Sequence, residues 1–325
     1  MTAKPGRIIL AAGAAAFLAF GADKASAQDY PTRPVTVVVP FAPGGATDNV
    51  ARAVTGKMRD KLGQQIVIEN RPGAGGAVGA QHVAKARPDG YTLLYWNSGF
   101  VTSPHLSQLP YDHLKDFEPI AMAGSTPTII SVNPAVPAKN LTELIALAKS
   151  KPGEINYGSS GLGSSDHLAV ELLQSIAGIK MTHVPYKGGS PAAVAAVAGE
   201  VQLLGLSPGT VTGQLKAGQL RGLAVASERR LGSLPDVPTS AESGLPQYIV
   251  PIWLGIWAPA GTPKPIVAKL NEAVREALEA EEVRKTLANV GVEAVGSTSD
   301  EFGSMVRAES ERWGKIIRDA GITLQ

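Results

Sequence analysis

The 325-residue sequence contains no cysteine. A chain without thiols cannot form a disulfide, build a thiolate metal site or carry a lipid on a cysteine side chain. The sequence also lacks any cluster of lysine and arginine, and its formal net charge is only +2. Nucleic-acid-binding proteins need a concentrated basic surface, so we expect no nucleic-acid partner.

Long apolar runs are equally scarce, and the most pronounced one lies near the start, from Ile8 to Phe20. This run is too short to span a bilayer comfortably, because a membrane helix needs about 20 residues. Two basic residues precede it, and the small-x-small sequence Ala25-Ser26-Ala27 follows it. This order predicts a signal peptide over residues 1–27 and a mature chain that begins at Gln28. We therefore expect a soluble periplasmic protein without a lipid anchor.

The motifs of several enzyme classes are absent as well. The five histidines show no metal-binding spacing, and no Gly-Lys-Ser/Thr triplet marks a triphosphate loop. Gly73 and Gly75 begin a dinucleotide fingerprint, but its third glycine would fall at Val78. Ser160 lacks the Gly-x-Ser-x-Gly frame of a hydrolase because position 162 is Leu162. We expect no metal, no cofactor and no enzymatic activity, and we keep a periplasmic hydrolase as an alternative.

The most informative stretch runs from Val35 to Asp48. Its β-branched start, Val35–Val39, predicts a buried strand of a parallel sheet. Two prolines and two glycines then force a turn, and Thr47 and Asp48 are residue types that cap helices. From Asn49 the apolar spacing predicts a helix. A strand, a glycine loop and a helix aim backbone N–H groups and the positive end of a helix dipole at one point, where we expect a carboxylate to bind.

The same alternation continues along the chain and predicts an α/β fold. The first three strands and two helices form a doubly wound unit. A second series of alternating strands and helices begins near Thr128. We therefore predict one lobe from residues 28–127 plus 251–325 and a second lobe from residues 128–250. Each lobe is expected to contain a mainly parallel sheet.

A second glycine- and serine-rich loop follows the predicted strand at Ile155–Tyr157. It runs from Gly158 to His167 and leads into a helix, as the first loop does. Its serine hydroxyls are neutral donors that suit a polar ligand. Two such loops in two lobes could close on one anion from opposite sides.

The segment Ile249–Ala258 predicts a strand that returns the chain to the first lobe. Its tryptophans, Trp253 and Trp257, either line the cleft or pack in the core or hinge, and packing is the favoured alternative. The remaining chain predicts amphipathic helices, one of which starts with a capping box from Thr298 to Glu301.

With these motifs in view, the sequence resembles the tripartite tricarboxylate transporter substrate-binding receptors, also called the Bug family. The resemblance covers essentially all of the mature chain. The matching motifs, in chain order, are Tyr30-Pro31-x-Arg33-Pro34, Pro40-Phe41-x-Pro43-Gly44-Gly45-x-x-Asp48, Glu69-Asn70-Arg71-Pro72-Gly73-Ala74-Gly75-Gly76, Pro88-Asp89-Gly90-Tyr91-Thr92, Tyr157-Gly158-Ser159, His183-Val184-Pro185-Tyr186-Lys187-Gly188, Leu234-Pro235-Asp236-Val237-Pro238-Thr239 and Ala258-Pro259-Ala260-Gly261-Thr262-Pro263.

The resemblance implies a two-lobed periplasmic-binding fold of type II, which holds a small carboxylate for uptake by the membrane subunits of a tripartite tricarboxylate transporter. A receptor that presents the solute to a sensor kinase would have the same site and remains an alternative. We expect a monomer. Carried over to this chain, the implied ligand-binding residues are Phe41, Ala42, Gly44, Gly45, Ala46, Thr47, Asp48, Ser159, Ser160, Gly161, Ser164, Ser165 and Ser207.

One position departs from the family pattern. Members commonly carry aspartate in a Gly-x-Val-Asp stretch, whereas this chain has Gly199-Glu200-Val201-Gln202. We expect the distal end of the pocket, which includes Ser207, to recognise a different ligand end.

Overall fold

The computed structural model describes Thr2, residues 30–319 and residues 321–323. The apolar run and the cleavage site of the predicted signal peptide lie outside the described residues. None of the helices in the described ranges is both long enough and apolar enough to cross a membrane.

Strands and helices alternate along most of the chain. The strands are β1 (Val35–Val39), β2 (Ile66–Asn70), β3 (Thr92–Asn97), β4 (Phe117–Pro127), β5 (Ile129–Val132), β6 (Asn156–Ser159), β7 (Thr182–Pro185), β8 (Leu203–Leu206), β9 (Arg221–Val225), β10 (Pro251–Pro259) and β11 (Glu293–Ala294). The helices are α1 (Ala46–Leu62), α2 (Ala77–Ala84), α3 (Gly99–Thr102), α4 (Leu141–Ser150), α5 (Ser165–Ala177), α6 (Gly189–Ala198), α7 (Pro208–Lys216), α8 (Lys264–Glu279), α9 (Glu281–Asn289) and α10 (Ser299–Asp319). Short 3₁₀ turns cover Ala74–Gly76 and Ser103–His105.

The strands form two mixed sheets. The first has the order β11-β4-β10-β3-β1-β2, in which β2, β1 and β3 are parallel while β10 pairs antiparallel with both β3 and β4. The second has the order β7-β6-β8-β5-β9, in which β7, β6 and β8 are parallel and β5 is antiparallel to its neighbours. The carboxyl ends of β6, β7 and β8 therefore share one edge, as the sequence predicted for the loops that follow them.

The chain passes between the sheets twice, and the two passages lie side by side. Thr128 N–H donates to the Val250 carbonyl oxygen at 3.1 Å, and Ala226 N–H donates to the Thr128 carbonyl oxygen at 2.8 Å. Val250 N–H in turn donates to the Ala226 carbonyl oxygen at 3.0 Å. The predicted lobe boundaries fall at these passages, and the division into two lobes stays a prediction.

Strand β4 was not predicted from the sequence. Pro119 and Gly124 interrupt its pattern, and both occupy irregular places in the sheet. Pro119 lies beside a shift in the pairing with β10, where a residue without an N–H is tolerated. A Cβ on Gly124 would lie 2.7 Å from the Glu293 carbonyl oxygen, so the close approach of β11 requires glycine there. Both residues are therefore adaptations of a long paired strand.

Two helix starts also differ from the prediction. Helix α1 begins at Ala46, three residues before the predicted Asn49, because Gly45 in an extended conformation takes the N-cap position. Helix α7 follows β8 directly and was not predicted from the sequence. Its first residue is Pro208, which suits a first helical position because the missing N–H has no partner there.

The two tryptophans of β10 pack in the core, as the favoured alternative predicted. Trp253 and Trp257 are buried, and Phe100 stacks on Trp257 with ring centroids 4.2 Å apart. Phe302 of α10 covers the same strand, and a Cβ added to Gly255 would lie only 2.1 Å from its Cζ atom. Gly255 is therefore required by the contact between the first sheet and α10.

Two matched glycine substitutions test this packing. Gly255→Ala should lower the free energy of unfolding by about 1–3 kcal/mol, because Phe302 must leave its position. Gly56→Ala, in the exposed interior of α1 where nothing lies within 4 Å of the added carbon, should raise it by about 0.5–1 kcal/mol. Urea unfolding of both variants measures the difference, and a neutral Gly255→Ala would contradict this account of the packing.

Candidate functional site

The loop after β1 is held by one buried carboxylate. Asp48 Oδ2 accepts hydrogen bonds from Gly44 N–H at 3.0 Å and from Arg52 Nε at 2.9 Å, while its Oδ1 accepts from Asn70 Nδ2 at 2.9 Å. Asn70 also donates to the Phe41 carbonyl oxygen at 3.0 Å, which ties the start of the loop to the same group. Burial alone would raise the pKa of Asp48, but the bonds from Arg52, Gly44 and Asn70 outweigh it and hold the pKa below its usual value. Asp48 therefore stays ionised and fixes the loop.

The loop after β6 is held by a second aspartate. Asp166, in the first turn of α5, accepts hydrogen bonds at Oδ2 from Ser160 N–H at 2.5 Å and from Ser160 Oγ at 2.7 Å. Ser164 takes the N-cap position, and its Oγ accepts from His167 N–H at 3.3 Å. Burial raises the pKa of Asp166 in spite of the hydrogen bonds that it accepts. The two loops are thus built alike but differ in electrostatics.

A partly enclosed cavity lies between these loops, and residues attached to both sheets line it. Its volume is about 30 Å³. Its lining residues are Phe41, Gly45, Ala46, Thr47, Asp48, Asn97, Thr126, Ser160, Ser165, Asp166, Gly189, Leu206, Ser207, Thr210, Ile252 and Leu254. The charged residues of this lining are Asp48 and Asp166, and the lining includes neither lysine nor arginine. A bound anion would therefore have to be held by N–H and hydroxyl dipoles.

The structure brings most of the predicted site residues to this cavity. Those that line it are Phe41, Gly45, Ala46, Thr47, Asp48, Ser160, Ser165 and Ser207. The others, Ala42, Gly44, Ser159, Gly161 and Ser164, lie in the same loops but outside the lining. Several of these have other partners: Ala42 N–H donates to the Lys187 carbonyl oxygen at 2.9 Å, and Ser159 Oγ lies 2.6 Å from His183 Nε2. Ligand binding by the predicted residues stays a prediction.

Sequence reasoning missed half of the lining. The residues missed are Asn97, Thr126, Asp166, Gly189, Leu206, Thr210, Ile252 and Leu254. Gly189 and Thr210 lie in the first turns of helices that directly follow parallel strands, which is a signal that the sequence carried. Ile252 and Leu254 alternate with Trp253 along β10. Because successive side chains of a strand point to opposite faces, this alternation could have distinguished the residues that face the cavity from those that face the core.

Four helix N-termini meet at the cavity: those of α1, α5, α6 and α7. The first backbone bond within α1 runs from Asn49 N–H to the Gly45 carbonyl oxygen at 2.9 Å, and within α5 from Leu168 N–H to the Ser164 carbonyl oxygen at 3.0 Å. The N–H groups that precede these bonds have no backbone partner inside their helices. The aligned dipoles add positive potential at the same place, so the cavity favours an anion.

One cavity-lining side chain has an unused hydrogen-bonding group. Ser165 is only 5% exposed, and its Oγ has no partner among the described residues. A buried hydroxyl without a partner costs free energy, so such groups normally have one. Ser165, the first residue of α5, is therefore a candidate donor to a ligand in the cavity.

Behind the second loop lies a pair of stacked histidines. The rings of His167 and His183 are 4.0 Å apart, and His167 Nδ1 accepts from Gly163 N–H at 3.2 Å. Burial lowers the pKa of His167 to about 3 and that of His183 to about 4, so both rings are neutral at physiological pH. Ser159 beside His183 has the composition of a nucleophile and a base, but it is completely buried and no substrate can reach it. The pair supports the loop.

No group of three or more potential metal ligands occurs among the histidine, aspartate and glutamate residues of the described ranges.

The sequence was also compared with known protein families. A family model described as "Tripartite tricarboxylate transporter family receptor" matches residues 50–322.

Solved structures resemble the whole molecule. The periplasmic binding protein BugD is 36% identical, with a TM-score of 0.87 over 91% of this chain and 100% of its own. The R. palustris protein Rpa4515 with adipate is 37% identical, with a TM-score of 0.87 over 91% and 99% of the two chains. MatC from Rhodopseudomonas palustris with bound malate is 37% identical, with a TM-score of 0.86 over 89% and 100%. These matches confirm the predicted α/β periplasmic-binding fold class.

Proposed function

Because this chain belongs to the tripartite tricarboxylate transporter receptor family, we propose that it binds a small organic carboxylate in the cavity between its two sheets and delivers it to the membrane subunits of such a transporter. The family consists of periplasmic solute receptors and not of enzymes. The similar structures that hold adipate and malate support a carboxylate ligand for this chain.

The unpartnered Ser165 Oγ carries this proposal. It lies in the cavity at the N-terminus of α5, and the N-terminus of α1 lines the same cavity through Thr47 and Asp48. A carboxylate between the two helices would accept from the Ser165 hydroxyl and from free backbone N–H groups on both sides. Each hydrogen bond to a charged acceptor contributes about 1.5–3 kcal/mol.

The closed arrangement is also suited to capture. Ala46 N–H of α1 donates to Thr210 Oγ1 of α7 at 3.1 Å, and Ser103 Oγ donates to the Gly163 carbonyl oxygen at 3.0 Å. Both bonds join residues attached to different sheets and would break if the sheets moved apart. We propose that residues 28–127 with 251–325 and residues 128–250 are lobes that open at the passages near Thr128 and Val250.

We further propose that residues 1–27 direct export and are removed. The exported protein should then have the mass of a chain that begins at Gln28. An intact mass that still includes the first 27 residues would contradict this step.

A thermal-shift screen followed by one matched pair of variants tests the binding site. Acetate, succinate, malate, adipate, citrate and benzoate form the panel, and an acid that binds the native state raises its melting temperature. Ser165→Ala should weaken the best acid at least about tenfold, because a donor to a charged group is lost. Ser131→Ala is the control, since Ser131 Oγ is also buried and unpartnered but lies on β5 outside the cavity lining.

The control variant should bind as the parent protein does. Equal affinity of the parent and Ser165→Ala would show that α5 does not hold the carboxylate. A panel in which no acid shifts the melting temperature would contradict the proposed function itself.

A further inference from the structure

Asp166 is a buried carboxyl group without a cationic partner. It is 3% exposed and lines the cavity, and the groups that lower its pKa are hydrogen-bond donors of its own loop rather than a lysine or arginine. Both hydrogen bonds from Ser160 go to Oδ2. A buried carboxylate is costly unless it is paired, and no lysine or arginine of the described residues pairs with Asp166.

Asp48 shows what a satisfied carboxylate in this site looks like. It lines the same cavity from the first turn of α1, and it has Arg52 at 2.9 Å together with the amide of Asn70. No arginine or lysine of the described residues lies beside Asp166 as Arg52 lies beside Asp48. The two aspartates occupy corresponding places in the two loops, so the missing cation distinguishes them.

The neighbouring titratable groups do not supply that cation. His167 accepts from Gly163 N–H through Nδ1, so its ring is neutral, and its Nε2 lies 3.8 Å from Glu171. His183 is paired with Ser159, and Tyr157 donates to Glu171. Among the residues that the structure describes, Asp166 has hydrogen-bond donors of its own loop but no cation, so a positively charged partner would have to come from a ligand.

We propose that Asp166 recognises a hydrogen-bond donor on the ligand, an ammonium or hydroxyl group next to the carboxylate that Ser165 binds. This inference rests on the proposed function and narrows the ligand to a 2-amino or 2-hydroxy carboxylate. Ser165 and Asp166 both line the cavity from the first turn of α5, so a carboxylate on Ser165 would bring its neighbouring carbon into the part of the cavity that Asp166 also lines. An unsubstituted acid would place a second negative charge beside Asp166 with nothing between them.

The protonation behaviour of Asp166 agrees with this assignment. Burial raises the pKa of its carboxyl group, which means that the ionised form is disfavoured in the empty site. A ligand ammonium or hydroxyl group removes that penalty because it hydrogen-bonds to the ionised form. The same carboxylate repels acids that lack a donor, so Asp166 provides selectivity in both directions.

Three sets of acids with matched carbon skeletons test the proposal. They are succinate, malate and aspartate; glutarate, 2-hydroxyglutarate and glutamate; and phenylacetate, mandelate and phenylglycine. Within the set that fits the cavity, calorimetry at pH 7.5 should show that the hydroxy or amino acid binds at least about tenfold more tightly than the unsubstituted acid. Asp166→Asn should reduce this ratio to near one.

Asp48→Asn is the matched comparison. It should weaken the members of a set by the same factor, because Asp48 holds the loop and has its own partners. An unsubstituted acid that binds as tightly as its substituted partners in the parent protein would overturn the inference, whether or not Asp166→Asn folds. That result leaves carboxylate binding intact, whereas the absence of binding by all nine acids would count against the proposed function as well.

Discussion

The hydrogen bonds that the Asp48 carboxylate accepts determine the shape of the first loop, and the rest of the site depends on that shape. Gly44 N–H, Arg52 and Asn70 all converge on this one group, and Asn70 extends the network to Phe41. The loop therefore cannot collapse onto the free N–H groups at the start of α1. Because these donors are fixed before a ligand arrives, little conformational entropy is lost on binding.

The second loop repeats the construction with one change that has chemical consequences. Asp166 holds Ser160 as Asp48 holds Gly44, but no arginine stands beside it. The aspartate of the first loop thus has a cationic partner, and we propose that a ligand donor takes the corresponding place beside Asp166. Both charged residues of the cavity lining are acidic, and this is why we propose that the site selects acids by the group that accompanies their carboxylate.

The sequence was sufficient where local chemistry decides the structure. The valine strand β1 and the capping box from Thr298 to Glu301 were both predicted and are both present. The family motifs also led to the correct fold class. Each of these features depends on a few consecutive residues, and such features can be predicted without knowledge of the tertiary structure.

The sequence was insufficient where distant segments meet. The glycine in β4 makes room for β11, and the face of β10 that lines the cavity depends on α10 covering the other side. The partners of Ser160 were also not predicted: its two donors are directed to Asp166, and ligand binding by Ser160 stays a prediction. These outcomes depend on which surfaces pack together, and a single sequence does not specify that.

The most direct test of this account is the crystal structure of the mature protein with the acid that gives the largest thermal shift. The account predicts that the ligand carboxylate lies between α1 and α5, with its oxygens within hydrogen-bond distance of Ser165 Oγ and of a backbone N–H in the first turn of α1. It also predicts Asp48 still bound to Arg52 and without ligand contact. A carboxylate held instead by a lysine or arginine, or bound outside the cavity between the two sheets, would contradict it.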